Sequence, residues 1–211
     1  MNRKNKDHAE TTALFLYIVK SGFSMTRFTG LMYTSAEMKR PLVQRLTRNA
    51  ILLALLCVVG MFSIPLGDQV KVSLQLLAVY LICFLCDGVI DVLVITGCYL
   101  LLGLFLPIYA GFSSGVTPTF GFVIGFVIAS PLIYCLNRYL PLPRAAKMAI
   151  AAVAGLLVIY AVGSLFMGLY LNWDIGTTLM VSVVPYLPFD AIKIGLAIAI
   201  MLALPKNVRP E

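Results

Sequence analysis

Residues 185–204 read PYLPFDAIKIGLAIAIMLAL. A helix needs about 20 predominantly apolar residues to cross a bilayer, and this run has that length. Two ionisable residues interrupt it, Asp190 and Lys193. A charge at mid-helix costs about 2.5–3.5 kcal/mol on insertion scales. The i, i+3 spacing sets both on one helix face, where they partly neutralise one another. One reading is a structural ion pair. The other is a polar ligand site in which Asp190 accepts and Lys193 donates. Intramembrane ionisable residues mark function more often than packing, so the second reading leads.

The rest of the chain supports a membrane setting. Of 211 residues, 61% are apolar and 12% charged. Soluble domains run nearer 45–50% apolar and about 25% charged. The excess apolar mass needs lipid as its solvent. Five further apolar runs give spans at 48–64, 73–87, 90–106, 118–137 and 146–170, and 184–204 completes six. Prolines 65, 107 and 205 stop three of them, because a missing N–H costs least at a helix end. Residues 107–117, PIYAGFSSGVT, form the longest loop. Residues 1–37 are a basic extension whose apolar stretch 13–19 is too short to span. Met38 is the expected functional start, so the membrane domain is 38–211.

The net charge of +7 would suggest nucleic acid in a soluble protein. Here the basic residues crowd at helix ends and need no acidic partner beyond lipid head groups, so no nucleic acid is expected. Nine Lys/Arg precede or open the first span. Arg138, Arg144 and Lys147 follow at the fourth link, and Lys206 and Arg209 at the C-terminus. The opposite side holds Lys71 alone, with Asp68 and Asp174. The positive-inside rule then places both termini inside, which six helices satisfy. The soft point is the second link, where Asp87 and Asp91 carry no cation of their own.

Catalytic chemistry has nothing to stand on. The single histidine is His8, and there is no nucleophile elbow, metal triad or phosphate-binding loop. Cys83-x-x-Cys86 lacks a second pair, so the five cysteines read as small buried hydrophobes and no metal or cofactor is expected. The chain is not read as an enzyme. Small residues recur at four-residue spacing, at Ala50 and Ala54 and at Gly121, Gly125 and Ala129. Such strips let another helix approach closely.

Three separated stretches carry a resemblance. They are IPLGDQVKVSLQLLAVYL (64–81), LLLGLFLPIYAGFSSGVTPTFGFVIGFVIAS (100–130) and PYLPFDAIK (185–193). In order and spacing they resemble the BioY family, the biotin-binding S components of energy-coupling factor (ECF) transporters. The resemblance runs from about residue 40 to 205. It departs from the family pattern at Thr117–Phe122, where the usual Gly-Pro-Thr-Gly-Gly-Tyr is Thr-Pro-Thr-Phe-Gly-Phe. It departs again at Phe189, where the family carries glycine, and in the reduced loop 111–115.

The resemblance implies an all-α, six-helix S-component fold in a bacterial plasma membrane. It implies biotin capture from outside and delivery inward with an ECF transmembrane T protein and two ATPase subunits. It makes Asp190 and Lys193 the ligand contacts, with Asp190 accepting a ureido N–H of biotin and Lys193 donating to the ureido oxygen. Ser113 and Gly111 in the loop, Tyr99, Tyr109 and Tyr186 around the ring system, and Gln75 complete the expected site. Ala50 and Ala54 become the expected strip for the T protein. Two alternatives stand beside it: an S component for another vitamin, and a structural membrane protein whose Asp190–Lys193 pair only fixes packing.

Overall fold

A computed structural model describes residues 42–65 and 71–205. The extension 1–37, the start expected at Met38, Asp68, Lys206 and Arg209 lie outside the described residues. The chain divides into the units Met1–Leu42 and Val43–Glu211, and the elements below make up the second, the first helix starting at the boundary. They are helical apart from one short hairpin. In order they are α1 (Leu42–Met61), β1 (Ser63–Pro65), β2 (Lys71–Ser73), α2 (Gln75–Leu85), α3 (Val89–Phe105), α4 (Phe120–Tyr139), α5 (Arg144–Leu171), α6 (Ile175–Ser182) and α7 (Leu187–Ala203). β1 and β2 pair antiparallel with Ile64 opposite Val72.

Three helices, α1, α4 and α5, are long and apolar enough to cross a membrane, or four if α6 and α7 count as one bent span. Six runs were expected as spans, and two of them form shorter helices, α2 of 11 residues and α3 of 17. The run 73–87 yields only an 11-residue helix, α2, about 16 Å long at 1.5 Å per residue against a hydrocarbon core of about 30 Å. Its N-terminal part goes to β2 and to the cap at Leu74, and Cys86 turns extended at its other end. α2 is buried almost all round, from Gln75 to Tyr80 and at Ile82, Cys83 and Phe84. A helix apolar on every face is a core helix as readily as a lipid-facing one.

The run expected at 184–204 forms α7, Leu187–Ala203, and α6 precedes it across a short break. α6 and α7 meet at an angle of 47°. Pro185 and Pro188 lack the N–H that a continuing helix would use. Asp174 caps α6, accepting from the Thr177 backbone N–H at 2.9 Å and its hydroxyl at 2.6 Å. Those two bonds hold its carboxyl below the ordinary value.

Not every proline sits at an end. Pro131 lies inside α4. It cannot donate to the Val127 carbonyl, and the Ser130 hydroxyl donates there instead at 3.2 Å. The strip on α4 packs within the bundle against α5. Gly125 faces the backbone of Ile159, whose Cα would lie 3.1 Å from an added Cβ. Gly121 receives Phe166, while on α5 Gly155 receives Ile133 and Gly163 receives Phe122. Ala129 is fully buried.

α1 is held differently. Only 17% of its apolar stretch is buried, against 50% in α4 and α5. Its inner face presents Asn49, Leu52, Leu56 and Gly60. At its start Arg45 Nε donates to both carboxylate oxygens of Asp91, at 2.7 and 2.8 Å, and Asn49 Nδ2 donates to Oδ1 at 2.7 Å. Arg48 Nη1 donates to Asp87 Oδ2 at 2.8 Å. This corrects two expectations. Asp87 and Asp91 take their cations from α1, and Arg45 and Arg48 do have acidic partners. Asp91 is also a buried ionisable residue, 4% exposed, so Asp190 and Lys193 are not alone in that.

Gly125→Val should lower stability by about 1–3 kcal/mol, the usual cost of overpacking. Thermal unfolding of the purified protein in detergent reads this as a lower midpoint, whereas Gly97→Ala, with open space beside it, should leave the midpoint within a degree or two.

Candidate functional site

The bend between α6 and α7 positions the two residues that the sequence singled out. Tyr186 caps α7, and its carbonyl accepts from the Asp190 backbone N–H at 2.9 Å. Asp190 therefore sits in the first turn of α7, not two turns inside a straight span. The helix dipole favours a carboxylate there. Lys193 follows one turn on, and its Nζ donates to Asp190 Oδ1 at 2.7 Å. Asp190 is 4% exposed and Lys193 6%.

Sequence reading missed the third member of the group. Tyr160, buried on α5, donates its hydroxyl to Asp190 Oδ2 at 2.6 Å. One turn further along α5, Ser164 lies 2.9 Å from Ser182 on α6. α5 thus makes one polar contact with each half of the broken span. The only signal for Tyr160 was a hydroxyl inside an otherwise apolar stretch, and such an O–H finds a partner when buried. Its partner lies 30 residues away, so spacing could not name it.

The group retains bonding capacity. A carboxylate offers about four lone-pair sites and an ammonium three donors. Asp190 uses one site on each oxygen, and Lys193 one donor, in the bonds described. The pair can still accept one bond and donate another without losing Tyr160. That matches a neutral ligand presenting an N–H beside a carbonyl.

The other expected residues form a second group. Gln75, at the start of α2, donates to the Tyr99 hydroxyl at 2.6 Å, and Tyr99 donates to the Ile108 carbonyl at 3.0 Å. Tyr99 and Tyr109 meet edge to face, their centroids 5.6 Å apart. Tyr109 donates to the Leu100 carbonyl at 2.6 Å and packs over Gly103, where a Cβ would strike its ring. Tyr99 and Tyr109 are buried. The Tyr109 backbone N–H reaches the Ser113 carbonyl at 3.0 Å. Ser113 is half-buried, and its hydroxyl donates to the Ala110 carbonyl at 3.0 Å.

The loop between α3 and α4 closes onto the end of α1. Gly111, exposed at φ +72°, donates its N–H to the Met61 carbonyl at 3.1 Å. Phe112 follows at φ +57°, unusual for a bulky residue. Its ring meets Phe62 edge-on, with centroids 6.2 Å apart. Ala50 and Ala54 are exposed on the outer side of α1, away from both groups.

Comparison with known proteins gives consistent matches. The model of the BioY family matches residues 25–210. A biotin transporter BioY of Thermotoga maritima is 33% identical over 168 residues, covering 78% of this chain and 97% of the relative. A probable biotin transporter BioY of Pyrococcus horikoshii is 27% identical over 75% of this chain and 94% of the relative. The structure aligns with the crystal structure of the S-component for biotin from an ECF-type ABC transporter. That alignment has a TM-score of 0.68 and 25% identity over 75% of this chain and 88% of the other.

Removing one member of the buried triad should cost more than removing its charges together. Lys193→Met leaves Asp190 buried without its cation, a loss of about 3–5 kcal/mol. The Asp190→Asn, Lys193→Met double variant should unfold closer to wild type than Lys193→Met does, as read by thermal or denaturant unfolding in detergent.

Proposed function

The chain belongs to the BioY family, and from that premise we propose that it is a biotin-uptake protein, the substrate-binding S component of an ECF transporter. The observation that carries the ligand reading is the buried Tyr160–Asp190–Lys193 group at the bend. Biotin's ureido ring presents two N–H donors beside one carbonyl. Asp190 accepts a ureido N–H, Lys193 donates to the ureido oxygen, and Tyr160 holds Asp190 in place. Charge-assisted bonds of this kind contribute about 1.5–3 kcal/mol each.

Ser113 and Gly111 of the loop, with Tyr99, Tyr109, Tyr186 and Gln75, complete the ligand's surroundings in this reading. Asp190 and Lys193 are almost wholly covered, so biotin reaches them only as neighbouring side chains give way. The relatives are named as transporters.

The finer topology belongs to the same proposal. The chain crosses a bacterial plasma membrane six times, α2 and α3 serving as short crossings packed in the core, with both termini inside. Support comes from the cations at 138, 144 and 147 and at the C-terminal end. Asp190 then lies about 20 Å along α7 from its inner end, near the outer face from which biotin enters. Ala50 and Ala54 on the open side of α1 form the docking strip for a T protein, which two ATPases drive.

Biotin binding by the purified protein tests the site. Asp190→Asn and Lys193→Met should each weaken biotin at least tenfold, the equivalent of about 1.4 kcal/mol. Near-wild-type affinity in both would remove these residues from the site. Riboflavin and thiamin should not compete; competition by either would move the reading to another vitamin. Ala54→Trp should abolish co-purification with the T protein and ATPases while leaving biotin affinity unchanged.

A further inference from the structure

Rotation of α1 about its own axis is poorly fixed by apolar packing. Val43, Leu46, Ile51, Leu55 and Val58 are exposed on it, while Leu52 and Leu56 are buried. Lipid tails are as apolar as these side chains, so exchanging one for another against the bundle gains little. The polar side chains of the inner face are what distinguish one rotation from the rest.

Three observations show how that rotation is set. First, Asp91 is a firm anchor. It stands in the first turn of α3, where the helix dipole favours a carboxylate, and its side chain is 5% exposed. Second, its side-chain donors come from α1. Arg45 Nε reaches both carboxylate oxygens and Asn49 Nδ2 reaches Oδ1, while Arg48 Nη2 stands 4.0 Å from Oδ2. Arg45 and Asn49 are one helical turn apart, so both meet one carboxylate only when a single face of α1 is turned to α3. Third, the far end of α1 agrees. Gly60 lies so close to α3 that an added Cβ would stand 2.5 Å from the Tyr99 hydroxyl and 3.0 Å from the Ile108 carbonyl. With that face inward, Ala50 and Ala54 are exposed. Ala54 follows Arg45 by about two and a half turns, which puts it on the opposite side of the helix.

We propose that Asp91 is a positioning residue for partner docking: it holds α1 in the one rotation that presents Ala50 and Ala54 to the T protein. This rests on the docking strip proposed above. It adds a residue that touches neither the partner nor biotin and acts through Arg45 and Asn49. Arg45 keeps partial access to water, its side chain being 23% exposed. Loss of the carboxylate therefore frees α1 to turn without stranding a deeply buried cation.

The test uses the full chain, co-expressed with its T protein and ATPases, and compares two substitutions of opposite kind. Asp91→Asn keeps the shape and removes the charge, and Asp91→Glu keeps the charge and adds volume. Asp91→Asn should speed hydrogen–deuterium exchange in the α1 peptides about tenfold and lower retention of the partners about fivefold or more, with Asp91→Glu closer to wild type in both. Biotin affinity of the isolated protein should stay within a factor of about two in each, the sites being distant. Arg45→Met, at a partly exposed position, should reproduce the Asp91→Asn result from the donor side. A role in packing alone predicts the reverse order, with Asp91→Glu the worse variant, and that order overturns the proposal. So does wild-type exchange in α1, or full retention of the partners, in Asp91→Asn. Ala54→Trp separates the two readings. Partners retained by Ala54→Trp overturn the docking strip itself, whereas partners lost there but kept by Asp91→Asn overturn only the role of Asp91.

Discussion

A carboxylate taken out of water has to be met by donors, and this requirement organises both ends of the bundle. At one end Asp190 takes Tyr160 and Lys193. At the other, Asp91 takes Arg45 and Asn49, with Arg48 on the adjacent Asp87. Each cluster joins elements that apolar packing alone would leave loosely related. The first ties α5 to α7 across the bend. The second ties α1, which buries little apolar surface, to the link between α2 and α3. Apolar contact supplies the mass of the core, and the two carboxylates fix which helices face one another.

The broken span shows why a polar site sits where it does. A continuous helix would satisfy its own backbone and present only side chains. Interrupting it between α6 and α7 creates a helix start inside the apolar region, with its positive end beside Asp190. α5 passes this break and contributes one hydroxyl to each side of it, Tyr160 and Ser164. Three helical segments fix the geometry of these polar contacts.

Much of this was legible in the sequence, for identifiable reasons. An acid and a base inside an apolar run stand out, so the Asp190–Lys193 pair was visible from spacing. The apolar runs were visible too, but apolarity does not say whether lipid or protein covers a face. α2, buried on nearly every side, therefore read as a longer helix than the 11 residues it forms. Tyr160 was hidden because a single hydroxyl pairs across the fold and not along the chain. The partners of Asp87 and Asp91 were hidden for the same reason, lying about 40 positions upstream at Arg45 and Arg48. Pro131 escaped notice within its helix because Ser130 supplies the donor that proline lacks.

The loop over the end of α1 carries a cost of its own. Phe112 holds a left-handed backbone conformation that a bulky residue disfavours by about 1–3 kcal/mol. Its ring contact with Phe62 and the neighbouring Gly111–Met61 bond keep it there. A conformation that returned Phe112 to negative φ would recover that backbone energy, so parting these contacts would cost less than their sum.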